Sequence, residues 1–340
     1  MGVKQMSAEQ LMKHAIELSL QGKGFTYPNP IVGAVIADAD GNVISEGFHQ
    51  GAEHAEVLAI KNAKTIPANA TLFVTLEPCN HFGKTPPCTD AIIESGIKNV
   101  VFAVSDPNPI AAGGAQKLIA AGINVSFGLL AEEAAHANRA WLTKIEKGRA
   151  RFIWKIASTL DGKVAAIDGS SKWITSEQSR KDVAKLRATS DAILTSSKTV
   201  IADNPTLDSK SAGRNPYRIV MGQSQIKSDA KIFNELAKTK VINSHDLSEL
   251  NEFVKSEGFN QVLVESGPTF GSALLAAGLI DEIVVYIAPT ILGSGLSSVA
   301  DLGIKSINEK LQLSLISQEV IDQDIKITYE VNEDQLIGAK

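Results

Sequence analysis

The chain has 340 residues, 44% of them hydrophobic and 5% aromatic, with 33 basic and 38 acidic side chains for a net charge of −5. That length predicts about two domains of roughly 150 residues each, and an acidic chain with no basic block is a poor partner for nucleic acid. The longest apolar runs, residues 31–37 and 283–288, are far short of the about 20 residues that cross a bilayer. The N-terminal MGVKQMSAEQ carries no apolar signal core, so the expected location is cytoplasmic.

In chain order, Ser7-Ala-Glu-Gln10 forms a capping box that predicts a helix to about Gln21, with Leu11, Ala15, Ile16 and Leu18 as its apolar stripe. Ile31 to Ala37 reads as a buried strand, Asp38 to Asn42 as a turn, and Val43 to Phe48 as the partner strand. A helix is expected from near His54, a strand over Thr71 to Leu76, and a helix from near Cys88. Strands over 99–104 and 123–127, with a helix near 116–121 between them, complete an α/β layered sandwich. A helix from Ala131 to about Lys144 runs into the polar break Glu146-Lys-Gly-Arg149, where the domain boundary is placed. A second α/β run follows, opening with a strand from Arg151 to Leu160.

Both cysteines of the chain lie in LEPCNHFGKTPPC, residues 76–88. A reducing compartment disfavours a structural disulfide, which leaves metal ligation, a redox pair or incidental thiols. His54-Ala-Glu56 lies upstream at a helix start. His54, Cys79 and Cys88 would give zinc three protein ligands and leave a fourth position open, as in catalytic sites. Helix N-termini favour the thiolate form that ligation requires. Glu56 stands where it could exchange a proton without ligating the metal. H-x-E followed by P-C and a further cysteine is the signature of zinc nucleobase deaminases, although here eight residues separate the cysteines rather than two.

PNPIVGAVI, HAEVLAI, TLEPCNHFGKTPPC and SDPNP together resemble the deaminase half of the bifunctional riboflavin-biosynthesis deaminase–reductase family. KIASTLDGKVA, SSKWITS, LRATSDAILTSSKTVIADNPTL and VESGPTFGSALLAAGLIDEIVVYIAPTILG resemble its reductase half. The resemblance implies a cytidine-deaminase-like three-layer sandwich over residues 1–147 and a dihydrofolate-reductase-like α/β domain over 148–340. It also implies two successive activities on small pyrimidine ribonucleotides. The first is zinc-dependent deamination of 2,5-diamino-6-ribosylamino-4(3H)-pyrimidinone 5′-phosphate, with one zinc per chain and Glu56 as the catalytic acid–base. The second is NADPH reduction of the ribosyl group to a ribityl group, in an enzyme expected to be a homo-oligomer without nucleic-acid or membrane partners.

The resemblance marks Asn29, His49, Lys84, Asp106 and Asn108 as deaminase substrate contacts. Taken singly, Asn29 and the Asp106-Pro-Asn-Pro109 stretch are equally good turn chemistry. Cofactor contacts are implied at Ala157, Trp173, Thr199, Asp203 and the start of a helix at Gly267, Pro268, Thr269, Phe270, Gly271, Ser272 and Ala273. Independently, Gln261 to Glu265 reads as a strand and Pro268 suits a first helical position, so this turn could receive an anion or be an ordinary strand–helix turn. Substrate contacts of the reductase are implied at Ser171, Arg187, Leu207, Lys210 and Glu265. Trp173 is equally suited to a core, and Arg187 to a solvated helix surface.

Three stretches depart from the family pattern. Ala112-Gly113-Gly114 is short and lacks a basic residue, Lys210 stands where Arg is usual, and Gly222-Gln223 replaces Asp-Ser. Two rivals remain: a zinc deaminase for another nucleobase, including one in RNA, and a zinc-stabilised binding module without turnover.

Overall fold

A computed structural model describes residues 5–83 and 85–332. It divides into two compact units, Met1–Gly148 and Arg149–Lys340. The first contains, in order, α1 (Ala8–Ser19), β1 (Gly33–Ala37), β2 (Val43–Phe48), α2 (Ala55–Asn62), β3 (Thr71–Leu76), α3 (Cys88–Ser95), β4 (Asn99–Val104), α4 (Gly114–Ala120), β5 (Asn124–Phe127), α5 (Ala131–Ala137) and α6 (Arg139–Lys147). The capping box forms as the sequence predicts: Gln10 N–H donates to the Ser7 hydroxyl, and Ser7 N–H to the Gln10 side chain.

The five strands form one sheet in the order β2-β1-β3-β4-β5. β1 runs antiparallel to both neighbours, whereas β3, β4 and β5 run parallel. Alternate residues of a strand face opposite sides, and both sides are covered. Ala34, Ile36, Leu72, Val74 and Phe102 pack with Ala55, Ala59, Ile92 and Leu118 of α2, α3 and α4. Val35, Ala37, Phe73 and Ala103 pack with Leu11, Met12, Ala15 and Ile16 of α1 and Ala134 of α5. The result is the expected three-layer sandwich.

Two boundaries differ from expectation, and one contact joins them. The helix expected from Ala131 to Lys144 breaks at Asn138, whose Oδ1 accepts the N–H of Ile31 at 3.2 Å. β1 begins at Gly33 rather than Ile31, whose N–H is taken by that side chain. A Cβ on Gly33 would lie 2.0 Å from Ala15 O, so only glycine lets α1 approach β1 this closely.

The second unit contains β6 (Arg151–Thr159), β7 (Lys163–Ala166), α7 (Glu177–Ala188), β8 (Ala192–Ser196), α8 (Ser197–Asp203), β9 (Tyr217–Met221), β10 (Thr239–Ile242), α9 (Leu247–Ser256), β11 (Gln261–Val264), α10 (Pro268–Ala276), β12 (Glu282–Ala288), β13 (Gly295–Ser297), β14 (Leu313–Ile321) and β15 (Asp324–Val331). Eight strands form a sheet in the order β10-β9-β8-β11-β6-β12-β15-β14, and β7 pairs with β13 in a separate ribbon. From β10 to β12 the neighbours are parallel, and the β15–β14 hairpin adds the antiparallel end. The central parallel strands are apolar on both faces, as doubly covered strands must be; Ile193, Val220, Leu263 and Val284 belong to the buried core. The carboxyl ends of β9, β8, β11 and β6 lie side by side, the edge where open parallel sheets receive ligands.

Candidate functional site

In the first unit the two halves of the cysteine loop close on the start of α2. His54 is the N-cap of α2 and makes no side-chain cap bond, so its ring turns outward to the cysteines. Its Nδ1 lies 3.1 Å from Cys88 Sγ and 3.6 Å from Cys79 Sγ. All three donor atoms fall within 4.8 Å of one another. Zinc with N and S ligands at about 2.0–2.3 Å would separate tetrahedral donors by roughly 3.6 Å, so this donor set fits zinc in type and spacing. Cys88 opens α3, and its N–H donates to Cys79 Sγ at 3.4 Å. Hydrogen bonding from Cys88 and His54 pulls the Cys79 thiol down to about 4, while the bond with Cys79 and burial push Cys88 up. The hydrogen bond with Cys79 in turn raises His54.

Glu56 lies in the first turn of α2, only 3% exposed. Burial pushes its carboxyl up to about 7, with the Cys79 charge adding to the effect. A carboxyl that titrates near neutrality beside an open metal site is suited to both accept and release a proton. His49 is buried beside it, its ring 5.2 Å from that of His54, and its Nε2 has no partner among the described residues. Burial and the neighbouring His54 lower His49 to about 4, so it is a neutral imidazole with an unused polar atom.

The other deaminase candidates are held in turns. Asn29 N–H donates to Thr26 O at 2.9 Å. Asp106 Oδ1 accepts the N–H of Asn108 at 2.8 Å, and Asn108 Oδ1 accepts that of Ile110 at 3.2 Å. Burial raises the Asp106 carboxyl. Lys84 lies outside the described residues. The atypical Gly113-Gly114 pair has a structural cause: Gly113 caps α4 at φ +92°, and a Cβ on Gly114 would lie 1.8 Å from Pro78 O. Glu77, which motif reasoning passed over, is buried in the same loop and accepts backbone N–H groups from Asp106 and Ala115.

In the second unit the strand ends gather a different kind of site. Gly267 caps α10 with no side-chain cap bond, and Pro268 occupies the first turn, leaving N–H groups at a positive helix end. Gly267 N–H approaches Thr199 Oγ1 at 3.4 Å, and Thr199 pairs with Ser196 at 2.9 Å. The starts of α8 and α10 therefore meet, with Gly267, Thr269 and Ala273 exposed, Phe270 half-buried, and Pro268 and Ser272 buried. Gly271 lets α10 sit on the sheet, since a Cβ there would lie 2.2 Å from the Trp154 ring. An uncapped helix start lined by small residues and a hydroxyl fits the phosphates of a dinucleotide. Ala157 is half-buried in β6, and Asp203 is exposed at the end of α8.

Trp173 is not a core residue; it is 72% exposed, with the Arg180 guanidinium 4.5 Å from its ring centroid. Ser171 is half-buried in the same segment. Arg187 is neither solvated nor idle. Its Nε and Nη2 hold the Glu265 carboxylate at 2.5 and 2.9 Å, and its Nη1 donates to Asp208 O at 3.0 Å. Lys155 Nζ lies 3.2 Å from the same carboxylate and escaped motif reasoning because nothing in the sequence pairs β6 with the end of β11. Burial alone would raise Glu265, but Arg187 and Lys155 overcome it and hold the group at about 2. Leu207 is buried, Lys210 is exposed with its ammonium 3.1 Å from Asp208, and both take φ of +48°. Left-handed backbone at such residues is sparsely populated and clusters at binding sites.

Two family models match the chain. The cytidine and deoxycytidylate deaminase zinc-binding region covers residues 5–104, and the RibD C-terminal domain covers residues 150–327. Riboflavin biosynthesis protein RibD of Mycobacterium tuberculosis is 43% identical over 337 residues, spanning 96% of this chain and 99% of that protein. Its counterpart from Aquifex aeolicus is 42% identical over 347 residues, spanning 94% and 97%. In structure, the chain resembles the Thermotoga maritima diaminohydroxyphosphoribosylaminopyrimidine deaminase/5-amino-6-(5-phosphoribosylamino)uracil reductase, with a TM-score of 0.88 at 35% identity over 95% and 98% of the two chains. Among the described residues no helix is long and apolar enough to cross a membrane.

Proposed function

The chain belongs to the RibD family of bifunctional riboflavin-biosynthesis proteins and carries both a deaminase and a reductase domain, and from that premise we propose how its residues divide the work. His54, Cys79 and Cys88 hold one zinc ion, and the substrate is 2,5-diamino-6-ribosylamino-4(3H)-pyrimidinone 5′-phosphate. Zinc, when bound, supplies a Lewis acid that makes water a nucleophile at neutral pH. Glu56 takes a proton from the attacking water on its carboxylate and passes it to the exocyclic amine. The C–N bond then breaks, ammonia leaves, and the ring keeps the oxygen. Neutral His49, Asn29, Asp106, Asn108 and Lys84 orient the nucleotide.

In the reductase, the α10 start from Gly267 to Ala273, with Ala157, Trp173, Thr199 and Asp203, binds NADPH. That cofactor, when bound, would supply a hydride to the ribosyl C1′ as the C1′–O4′ bond opens and O4′ takes up a proton, giving the ribityl chain. Ser171, Leu207, Lys210 and the Arg187–Glu265 pair hold the substrate, and Lys155 fixes Glu265 in its ionised form. Positioning, rather than acid–base strength, is the main demand of such a transfer.

The observation that carries the deaminase assignment is the close grouping of His54, Cys79 and Cys88 beside the buried Glu56. The test is ammonia release from the pyrimidine ribonucleotide, free cytosine and RNA, with zinc measured on the same protein. Turnover of the nucleotide alone, with about one zinc per chain, is the expected result. Deamination of cytosine or RNA at a comparable rate, or zinc binding without turnover, would overturn it.

A further inference from the structure

The segment 105–115 carries Asp106 and Asn108 and forms no regular structure before α4. Its placement against the metal loop depends on a short set of contacts, and the largest share belongs to Glu77. This residue follows the last residue of β3 and precedes Pro78-Cys79. Its own N–H is tied to Val104 O at 2.8 Å, at the end of the neighbouring β4. Its carboxylate then reaches across the gap. Oε2 accepts the N–H of Asp106 at 3.3 Å, and Oε1 accepts the N–H of Ala115, in the first turn of α4, at 2.9 Å. One buried carboxylate therefore grips both ends of the segment. Two further contacts seat its middle and its end: Asn80 N–H donates to Ala111 O at 3.1 Å, and Gly114 lies against Pro78 O.

We infer that Glu77 is a positioning residue of the deaminase, setting the distance between the metal loop and the side chains of Asp106 and Asn108. The inference rests on the proposal that those two side chains contact the nucleotide. Glu77 is not itself placed to touch substrate, because both its oxygens are engaged with backbone. Gln is nearly isosteric, but its amide would set an N–H donor against one of the two N–H groups it must hold. Glu77→Gln should therefore loosen one end of the segment without emptying a volume in the core.

Steady-state deamination by the full chain tests this, with zinc content and reductase turnover measured on each preparation. In Glu77→Gln, KM for the pyrimidine ribonucleotide should rise roughly ten- to hundredfold, the scale of a displacement near one ångström. Zinc content and reductase turnover should hold. Gly114→Ala, which pushes the same segment off Pro78 from the other side, should raise KM in the same way. A rise in KM for Asp106→Ala and Asn108→Ala with none for Glu77→Gln overturns the inference and leaves their substrate role standing. No rise for Asp106→Ala and Asn108→Ala overturns the substrate role itself, and with it the inference. Zinc loss or a parallel fall of both activities in Glu77→Gln, with KM unchanged, marks a purely structural residue and also overturns it.

Discussion

The two units build their sites by opposite means. In the first, the proposed chemistry rests on four side chains from three short stretches, His54 and Glu56 at the start of α2, Cys79 after β3 and Cys88 at the start of α3. The donor atoms of His54, Cys79 and Cys88 lie within 4.8 Å of one another, and burial and neighbouring groups shift Glu56 and Cys79. In the second, the proposed ligand surface is a sheet edge, where backbone N–H groups, hydroxyls and one buried ion pair are spread over the ends of several strands. A compact side-chain site is all-or-none, because removing one ligand leaves the others with nothing to hold. A distributed site degrades by increments.

That contrast is broken most severely at the zinc ligands. Cys79→Ser or Cys88→Ser should abolish zinc retention and deamination together while leaving NADPH oxidation on the deaminated substrate intact. Metal analysis beside the two assays checks it. A serine variant that keeps both zinc and full deaminase rate would show that the ligand set is wrong.

The next effect sharpens the comparison by finding one all-or-none element inside the distributed site. Glu265 is 7% exposed and bridged by Arg187 and Lys155. Removing one partner of a buried pair typically costs about 3–5 kcal/mol, so Glu265→Gln should lower the unfolding midpoint of the reductase unit in urea. The pH dependence has a definite sign. Glu265 is held at about 2 in the folded protein against an ordinary 4.5. Its contribution, on the order of 3 kcal/mol, is complete above the ordinary value and is lost as pH falls from there toward 2. Unfolding curves across that window should show a wild-type loss that Glu265→Gln lacks; matching pH profiles would contradict it.

The smallest effect concerns cofactor discrimination. Gly222 takes φ of +129°, and a Cβ there would lie 2.4 Å from Ser197 Oγ, so the β9 and β8 ends are in close contact. The following loop offers Gln223, Ser224 and Gln225 before Lys227, with Lys198 exposed nearby in sequence to Ser197. NADPH should be preferred over NADH, by less than an arginine-bearing loop gives, since one charge-assisted bond is worth about 1.5–3 kcal/mol. The ratio of kcat/KM for the two cofactors should shrink in Lys227→Ala or Lys198→Ala. An outright NADH preference would refute this, and an unchanged ratio in both variants would place the phosphate elsewhere.

Legibility in the sequence followed the same division. Local rules carried the capping box at Ser7, the first-turn proline of α10 and the helix starts at His54 and Cys88, because each depends on residues a few positions apart. The grouping of His54, Cys79 and Cys88 was legible because helix starts and prolines mark them out. What escaped depends on pairings between distant strands and loops. Asn138 holds the N–H of Ile31, Lys155 meets Glu265 only through the β6–β11 pairing, and Glu77 grips residues 29 and 38 positions away. Trp173 and Arg187 show the limit from the other side. Residue type left core open for one and a solvated surface for the other, beside the contacts the resemblance implied, and the structure exposes the tryptophan and half-buries the arginine in an ion pair.

The central claim is that two separate chemistries share this chain, the first of them driven by one buried carboxyl. Glu56→Gln tests it most directly, because the amide keeps the shape of the site but cannot carry the proton. Deamination should fall by roughly 10²–10⁴-fold, with zinc content unchanged and NADPH oxidation on the deaminated nucleotide at its wild-type rate. Full deamination by the variant, or a parallel loss of both activities, would contradict the account.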